Sequence, residues 1–234
     1  MAIFNTVYGG EWKWKPWSNT MAYRPLEENG NDYSSNWNNL TNFAWVTFST
    51  LSSWKKYAIF SGTETWNTCK AYTSSTSTTN YWTFSVWAKP ENNWNNHYFM
   101  FTSWSQTSTS VNFRLITAWA STYQVASNSS NHTFSSYSSS VSPINDWNWH
   151  HFVVTISAST ISLYIDNVLK GSTTNSTPNE TGTGVMSLWT YVDTGGTSDF
   201  WYKWWFSEAI FEKSIWTTDD ISSYYNKTKK NYWL

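Results

Sequence analysis

The stretch NDWNWHHFVVTISASTISLYIDNVLKGS, Asn145 to Ser172, decides how this 234-residue sequence folds. Within it, Phe152, Val154 and Ile156 alternate with His151, Val153 and Thr155. Successive side chains of a strand point to opposite faces, so this is a strand near 150–157. TISLYID supplies a second strand near 160–166. Asp166 and Asn167 then form a tight-turn pair, because Asn and Asp tolerate positive φ better than other non-glycine residues. The alternation fits an antiparallel sheet with one wet face. His150 and His151 sit on neighbouring strand positions, point to opposite faces and cannot chelate one ion.

Working outward, strand signals continue in both directions. They lie near 21–26, 43–50, 56–61, 82–89, 97–104, 111–118 and 121–126, and again near 184–191 and 203–212. In VNFRLITA, Val111, Phe113, Leu115 and Thr117 share one face, with Asn112, Arg114 and Ile116 on the other. Short strands at this spacing predict an all-β sandwich or barrel. One helix is expected at about 217–226. Thr217 is its N-cap, Asp219 and Asp220 suit the positive end, and Lys227, Lys229 and Lys230 follow at the negative end. Ile221, Tyr224 and Tyr225 fall on one helix face. The Ser/Thr-rich segments 73–80 and 127–142 are expected to be long loops or solvent-facing edges.

Composition narrows the function classes. Aromatic residues make up 21 % of the chain, which excludes disorder. Cys69 is the single cysteine, so neither an intramolecular disulfide framework nor a cysteine-based zinc site is available. The net charge of −1 leaves no basic footprint for nucleic acid and no polybasic membrane anchor. No run of about 20 apolar residues predicts a membrane-spanning helix. Residues 1–20 do not read as a cleavable signal, because Glu11, Lys13 and Lys15 interrupt them.

Several stretches, in order, resemble bacterial and phage LamG-like domains. Asn19 to Asn42 (NTMAYRPLEENGNDYSSNWNNLTN) resembles their opening strand and Asn/Asp/Gly loop. YWTFSVWAKP, Tyr81 to Pro90, resembles their "FTISxWVKP" strand. Asn145 to Ser172 resembles the "xWHHVxxTxxxxxxxLYxDGxxxG" hairpin and is the most specific of these matches. Lys203 to Asn226 is similar to the closing strand and the helix after it. The resemblance implies a concanavalin A-like lectin/glucanase fold, an antiparallel two-sheet jelly-roll sandwich with a short C-terminal helix. It implies one domain over 1–234, with 1–18 as an N-terminal extension and 217–228 as the terminal helix. Trp149 is then expected to plug the core between the sheets.

Glucanases of this fold carry E-x-D-x-x-E on one strand, where period two places the carboxylates on one face. The pattern is absent, and Glu208 and Glu212 have no acid between them, so a non-catalytic protein is expected. The resemblance implies a possible calcium site, since calcium takes six to eight oxygens. Asp32 is the candidate ligand with Glu208 as partner, although Ser207 replaces the acid usual in the family's "IDE" strand. Asp193 and Asp199 are a second option. Aromatic faces stack on sugar rings, and Trp104, Trp119, Tyr123 and Tyr191 are the candidate ligand-binding residues. The expected function is a recognition or adhesion module for a glycan or cell-surface polysaccharide, extracellular or virion-associated. A homo-oligomer is possible, with no nucleic-acid partner and no membrane insertion. A structural fibre protein without a glycan ligand is the alternative, and a glycan-degrading enzyme the third reading.

The 20 Trp against 9 Gly remain unexplained by this fold. Trp87, Trp149 and Trp216 stand where LamG-like domains have Trp or another large core residue. Trp37, Trp54 and Trp147 stand where the family usually has Gly, and Trp17, Trp45, Trp204 and Trp233 fit the same exchange. These are turns or strand edges, where glycine reaches positive φ without Cβ strain. Some bacterial lineages and their phages read UGA as glycine, whereas other codes read it as tryptophan. UGA codons at some of these positions would produce both the excess and the deficit. Several of these Trp are therefore expected to be exposed or to have positive φ.

Overall fold

The computed structural model describes residues 7–8, 11–12, 20–34, 36, 38–40, 46–60, 71–72, 76–78, 82–90, 101–105, 111–118, 122–128, 134–140, 147–174, 182–188 and 204–233. Its first strands are β1 (Val7–Tyr8), β2 (Glu11–Trp12), β3 (Thr20–Arg24), β4 (Val46–Thr50), β5 (Lys56–Phe60), β6 (Ala71–Tyr72) and β7 (Thr76–Thr78). There follow β8 (Trp82–Pro90), β9 (Phe101–Ser105), β10 (Val111–Ala118), β11 (Thr122–Asn128) and β12 (Phe134–Ser140). The last are β13 (His150–Ile156), β14 (Thr160–Ile165), β15 (Val168–Thr174), β16 (Gly182–Leu188) and β17 (Trp204–Glu212). Helix α1 (Thr218–Thr228) and a 3-10 turn (Lys229–Tyr232) close the chain.

Two large antiparallel sheets form a jelly-roll sandwich. The eight-stranded sheet runs β15-β14-β13-β8-β17-β5-β4, with β3 also paired to β17. The seven-stranded sheet runs β12-β11-β10-β9-β16-β6, with β7 also on β16. The hairpin that decides the fold is built as its residues dictate. Ile165 pairs with Val168 across a two-residue loop, and Asp166 and Asn167 have φ 51° and 67°. Positive φ at both central residues is the loop geometry whose twist matches that of paired strands.

The two faces of the eight-stranded sheet have different covers. On one face Phe84, Val86, Phe152, Val154, Ile161, Leu163 and Phe206 form a buried cluster. On the other, Trp87, Trp149, Val153 and Ile210 pack with Trp216, Ile221, Tyr224 and Tyr232 of the C-terminal segment. The C-terminal segment thus shields the second face. Two expectations change accordingly. The face bearing His151, Val153 and Thr155 is buried rather than wet. Trp149 packs under the C-terminal segment, against Tyr57 and Tyr232, rather than between the sheets.

Helix α1 follows its sequence signals. Thr217 Oγ1 accepts from Asp220 N–H, and the Asp220 side chain accepts from Thr217 N–H, which makes a capping box. Trp87 is stacked on Tyr232 at 4.1 Å between ring centroids and donates Nε1–H to Thr228 Oγ1. Segment 127–142, expected as loop or edge, contains β12, an edge strand held by seven register pairs to β11. Ser-rich strands have little intrinsic preference, so the neighbouring strand supplies the structure.

Candidate functional site

The loop after β3 is organised by Asp32. Its Oδ1 accepts from Tyr23 N–H and Ser34 N–H, and its Oδ2 from Ser34 Oγ–H and Asn38 N–H. Arg24 lies beside it, buried, and donates Nη2–H to the Asn38 carbonyl at 2.6 Å. Burial lowers the Arg24 pKa to about 10, against the opposing pull of the Asp32 charge.

Glu208 occupies a bulge in β17, where the pairing with β8 shifts register between Ser207 and Ile210, and its φ is 51°. Its Oε1 lies 2.5 Å from Lys55 Nζ, and its Oε2 accepts from Tyr224 Oη–H. Burial pulls the Lys55 pKa down, but the charges of Glu208 and Glu27 outweigh it and the net shift is upward. Asp32 and Glu208 therefore each spend both carboxylate oxygens on protein donors. A calcium ion takes six to eight oxygens, and these two residues do not fit one in this arrangement. Among the described residues, no group of three or more His, Cys, Asp and Glu could hold a metal. Asp193 and Asp199 lie outside the described residues.

Glu212 is buried and accepts from Thr20 Oγ1–H and Ser214 Oγ–H. Burial raises its pKa to about 7. The two histidines separate as expected. His151 is fully buried, 5.0 Å from Trp87 and 5.2 Å from Tyr224 between ring centroids, with Nε2 2.8 Å from Ser85 Oγ. Burial lowers its pKa to about 3. His150 instead donates Nδ1–H to Asp166 Oδ2 at 2.6 Å, while Asp166 Oδ1 accepts from His151 N–H. Both histidines thus serve the hairpin.

Among the expected ligand-binding residues, Trp104 is in β9 and Tyr123 in β11 of the seven-stranded sheet. Trp104 pairs with Val111 at one end of β10, and Tyr123 with Thr117 near the other. Six residues of strand separate the two positions, roughly 20 Å at the usual rise. Trp119 and Tyr191 lie outside the described residues.

A different aromatic position emerges on the outer face of the eight-stranded sheet. Lys89, Trp205, Ile59 and Thr47 are register partners in one row across β8, β17, β5 and β4. All four are at least partly solvent-accessible, unlike the adjoining Trp87, which the C-terminal segment covers. Lys89 Nζ stands 5.6 Å from the centroid of the Trp205 ring, and Trp147 lies 5.6 Å away at 58°. A cation beside an accessible indole can grip a sugar ring and a carboxylate together. The alternation of Trp205 with buried Phe206 carried a signal for this outward face. Knowing which outward residues stay uncovered required the path of the C-terminal segment.

Two antiparallel sheets, a capped C-terminal helix and an accessible outer row define a concanavalin A-like sandwich. The chain belongs to the concanavalin A-like lectin/glucanases superfamily, whose Laminin_G_3 family model matches residues 62–202. Among solved structures it is similar to the binding domain of Paraclostridial Mosquitocidal Protein 1, with 12 % identity, TM-score 0.67, and 89 % of this chain and 52 % of that one covered. It is also similar to the receptor binding domain of botulinum neurotoxin type G, with 11 % identity, TM-score 0.64 and coverages of 89 % and 51 %. A third is the serotype D ligand binding domain in complex with N-acetylneuraminic acid, with 14 % identity, TM-score 0.65 and coverages of 89 % and 50 %. The chain spans about half the length of these structures, and likeness at such identities concerns the fold. No curated protein matches the chain. Among the described residues, no helix is long and apolar enough to cross a membrane.

Proposed function

We propose that this protein is a non-catalytic glycan-recognition module, displayed on a phage virion or a cell surface. The observation that carries the reading is the partly accessible Lys89–Trp205 pair on the outer face. The indole offers a stacking surface, and the ammonium group favours an acidic sugar. The serotype D domain bound to N-acetylneuraminic acid, an acidic sugar, supports the same ligand class on a related fold. Glu208 and Glu212 support binding over hydrolysis, because both are buried and committed to neighbouring donors. The display site rests on the resemblance to phage LamG-like domains.

A glycan array carrying sialylated, uronic-acid and neutral glycans tests this. Acidic glycans are expected to bind, and Trp205→Ala to weaken that binding about tenfold or more, which corresponds to ~1.4 kcal/mol. Trp104→Ala and Tyr123→Ala in the same array ask whether the seven-stranded sheet contributes. Binding to no glycan supports the fibre alternative, and release of reducing sugar supports an enzyme.

A further inference from the structure

Among the described residues seven non-glycine positions have positive φ: Leu26, Trp54, Trp147, Asp166, Asn167, Glu208 and Trp233. Three of the seven are tryptophan, which is 20 of 234 residues overall. Asp and Asn are tolerated in this region, whereas a bulky residue is an outlier there. The three tryptophans also occupy positions with a defined backbone demand.

Trp54 lies in the loop joining β4 to β5, whose ends pair through Thr50 and Lys56. Its N–H bonds the Leu51 carbonyl, and the Leu51 N–H bonds the Lys55 carbonyl. With φ 67° it is the left-handed residue that follows a turn in longer hairpin loops, a position suited to glycine. Trp233 ends the 3-10 turn with φ 71° and ψ 29°, and its N–H bonds the Lys229 carbonyl. A left-handed residue terminating a helix in this way is most often glycine. Trp147, φ 64°, lies in the approach to β13.

Exposure follows the same line for seven of the described tryptophans, while half-buried Trp205 has no positive φ. Trp54, Trp147 and Trp233 are 79 %, 42 % and 64 % exposed. Trp82, Trp87, Trp149 and Trp216 are all at most 5 % exposed, and none has positive φ. An aromatic binding rim would account for exposure, but it gives no reason for left-handed backbone at all three positions.

We propose that Trp54, Trp147 and Trp233 are glycine in the protein as its own host makes it, each encoded by a UGA codon that the host reads as glycine. Glycine removes the Cβ conflict at each position and relieves part of the deficit of 9 Gly against 20 Trp. At 147 it also removes the ring 5.6 Å from Trp205, which widens access to that indole. The inference stands independently of glycan binding.

The coding DNA tests it. UGA is expected at 54, 147 and 233, and UGG at 82, 87, 149 and 216. UGG at any of the first three, or UGA at any of the buried four, overturns the proposal. Peptide mass spectrometry on protein from the natural host gives a second readout. Peptides spanning 54 and 147 are expected to carry glycine, and a tryptophan mass at either position overturns it.

Discussion

Lys55 places its ammonium nitrogen 2.5 Å from the Glu208 carboxylate beneath the C-terminal helix, where both side chains are buried. Removing one partner of such a pair leaves the other charge buried without compensation, a cost of about 3–5 kcal/mol. Lys55→Met is therefore expected to lower the urea midpoint sharply. Lys55→Met with Glu208→Gln should recover part of that loss. A chemical denaturation series on the two single variants and the double variant measures the coupling.

Calcium provides a separate check on the same residues. With Asp32 held by four protein donors and Glu208 by Lys55 and Tyr224, millimolar calcium should leave Tm unchanged. A ligand that binds only the folded state raises apparent stability by mass action. A calcium-dependent rise in Tm, reversed by chelator, would show that the loop rearranges to bind the ion.

The pH profile should be flat in the middle and fall on both sides. His151 has a folded pKa of about 3 against 6.5 for the unfolded chain, so the unfolded state takes up the proton first. Its contribution is complete above about 6.5 and is lost as pH falls from 6.5 towards 3, at about 1.4 kcal/mol per pH unit. Glu212 acts in the opposite sense. Its folded pKa is raised from 4.5 to about 7, so its contribution is complete below 4.5 and is lost as pH rises towards 7. Between about 4.5 and 6.5 the two slopes oppose each other and stability should change little. Thermal unfolding across pH 3 to 8 measures the profile, and Glu212→Gln should abolish the alkaline decline.

Substitution by glycine should divide the tryptophans. A left-handed backbone costs a non-glycine residue roughly 1–2 kcal/mol. Trp54→Gly, Trp147→Gly and Trp233→Gly should each raise Tm by roughly 2–4 °C per kcal/mol relieved. Trp87→Gly should instead lose about 3–5 kcal/mol, as truncation of a large buried aromatic does. Differential scanning calorimetry on the four variants separates the two groups.

Thr217→Ala should cost about 1 kcal/mol by removing the helix N-cap. Because α1 packs on Trp87 through Tyr225 and Thr228, the variant should also increase tryptophan accessibility to acrylamide. Unchanged stability and quenching would show that tertiary packing alone holds the helix.

Local signals made much of the fold legible. Strand β10 spans Val111–Ala118, where the alternation of VNFRLITA placed it. Asp166-Asn167 formed the tight turn, and Thr217 and Asp220 formed the cap. Trp54, Trp147 and Trp233 took left-handed backbone where the family usually has glycine or the exchange was inferred, whereas Trp204, inferred with them, lies in strand β17 without it. Local pattern left loop and edge undivided in 127–142, where pairing with β11 makes the Ser-rich β12 an edge strand. The candidate site was less legible. Resemblance alone joined Asp32 to Glu208, and in space Tyr23, Ser34, Asn38, Lys55 and Tyr224 occupy their oxygens.

By itself the sequence determined the all-β class, the hairpin turn, the helix cap and the positions where glycine is favoured. Each depends on φ, ψ and hydrogen bonds within a few residues. The tertiary structure alone decided that Trp149 lies under the C-terminal segment, that Glu208 meets Lys55, and that Lys89 and Trp205 share a partly accessible row. Those outcomes depend on which distant segment covers which face of the sheet. Period-two alternation marks two faces without stating what will lie against either one.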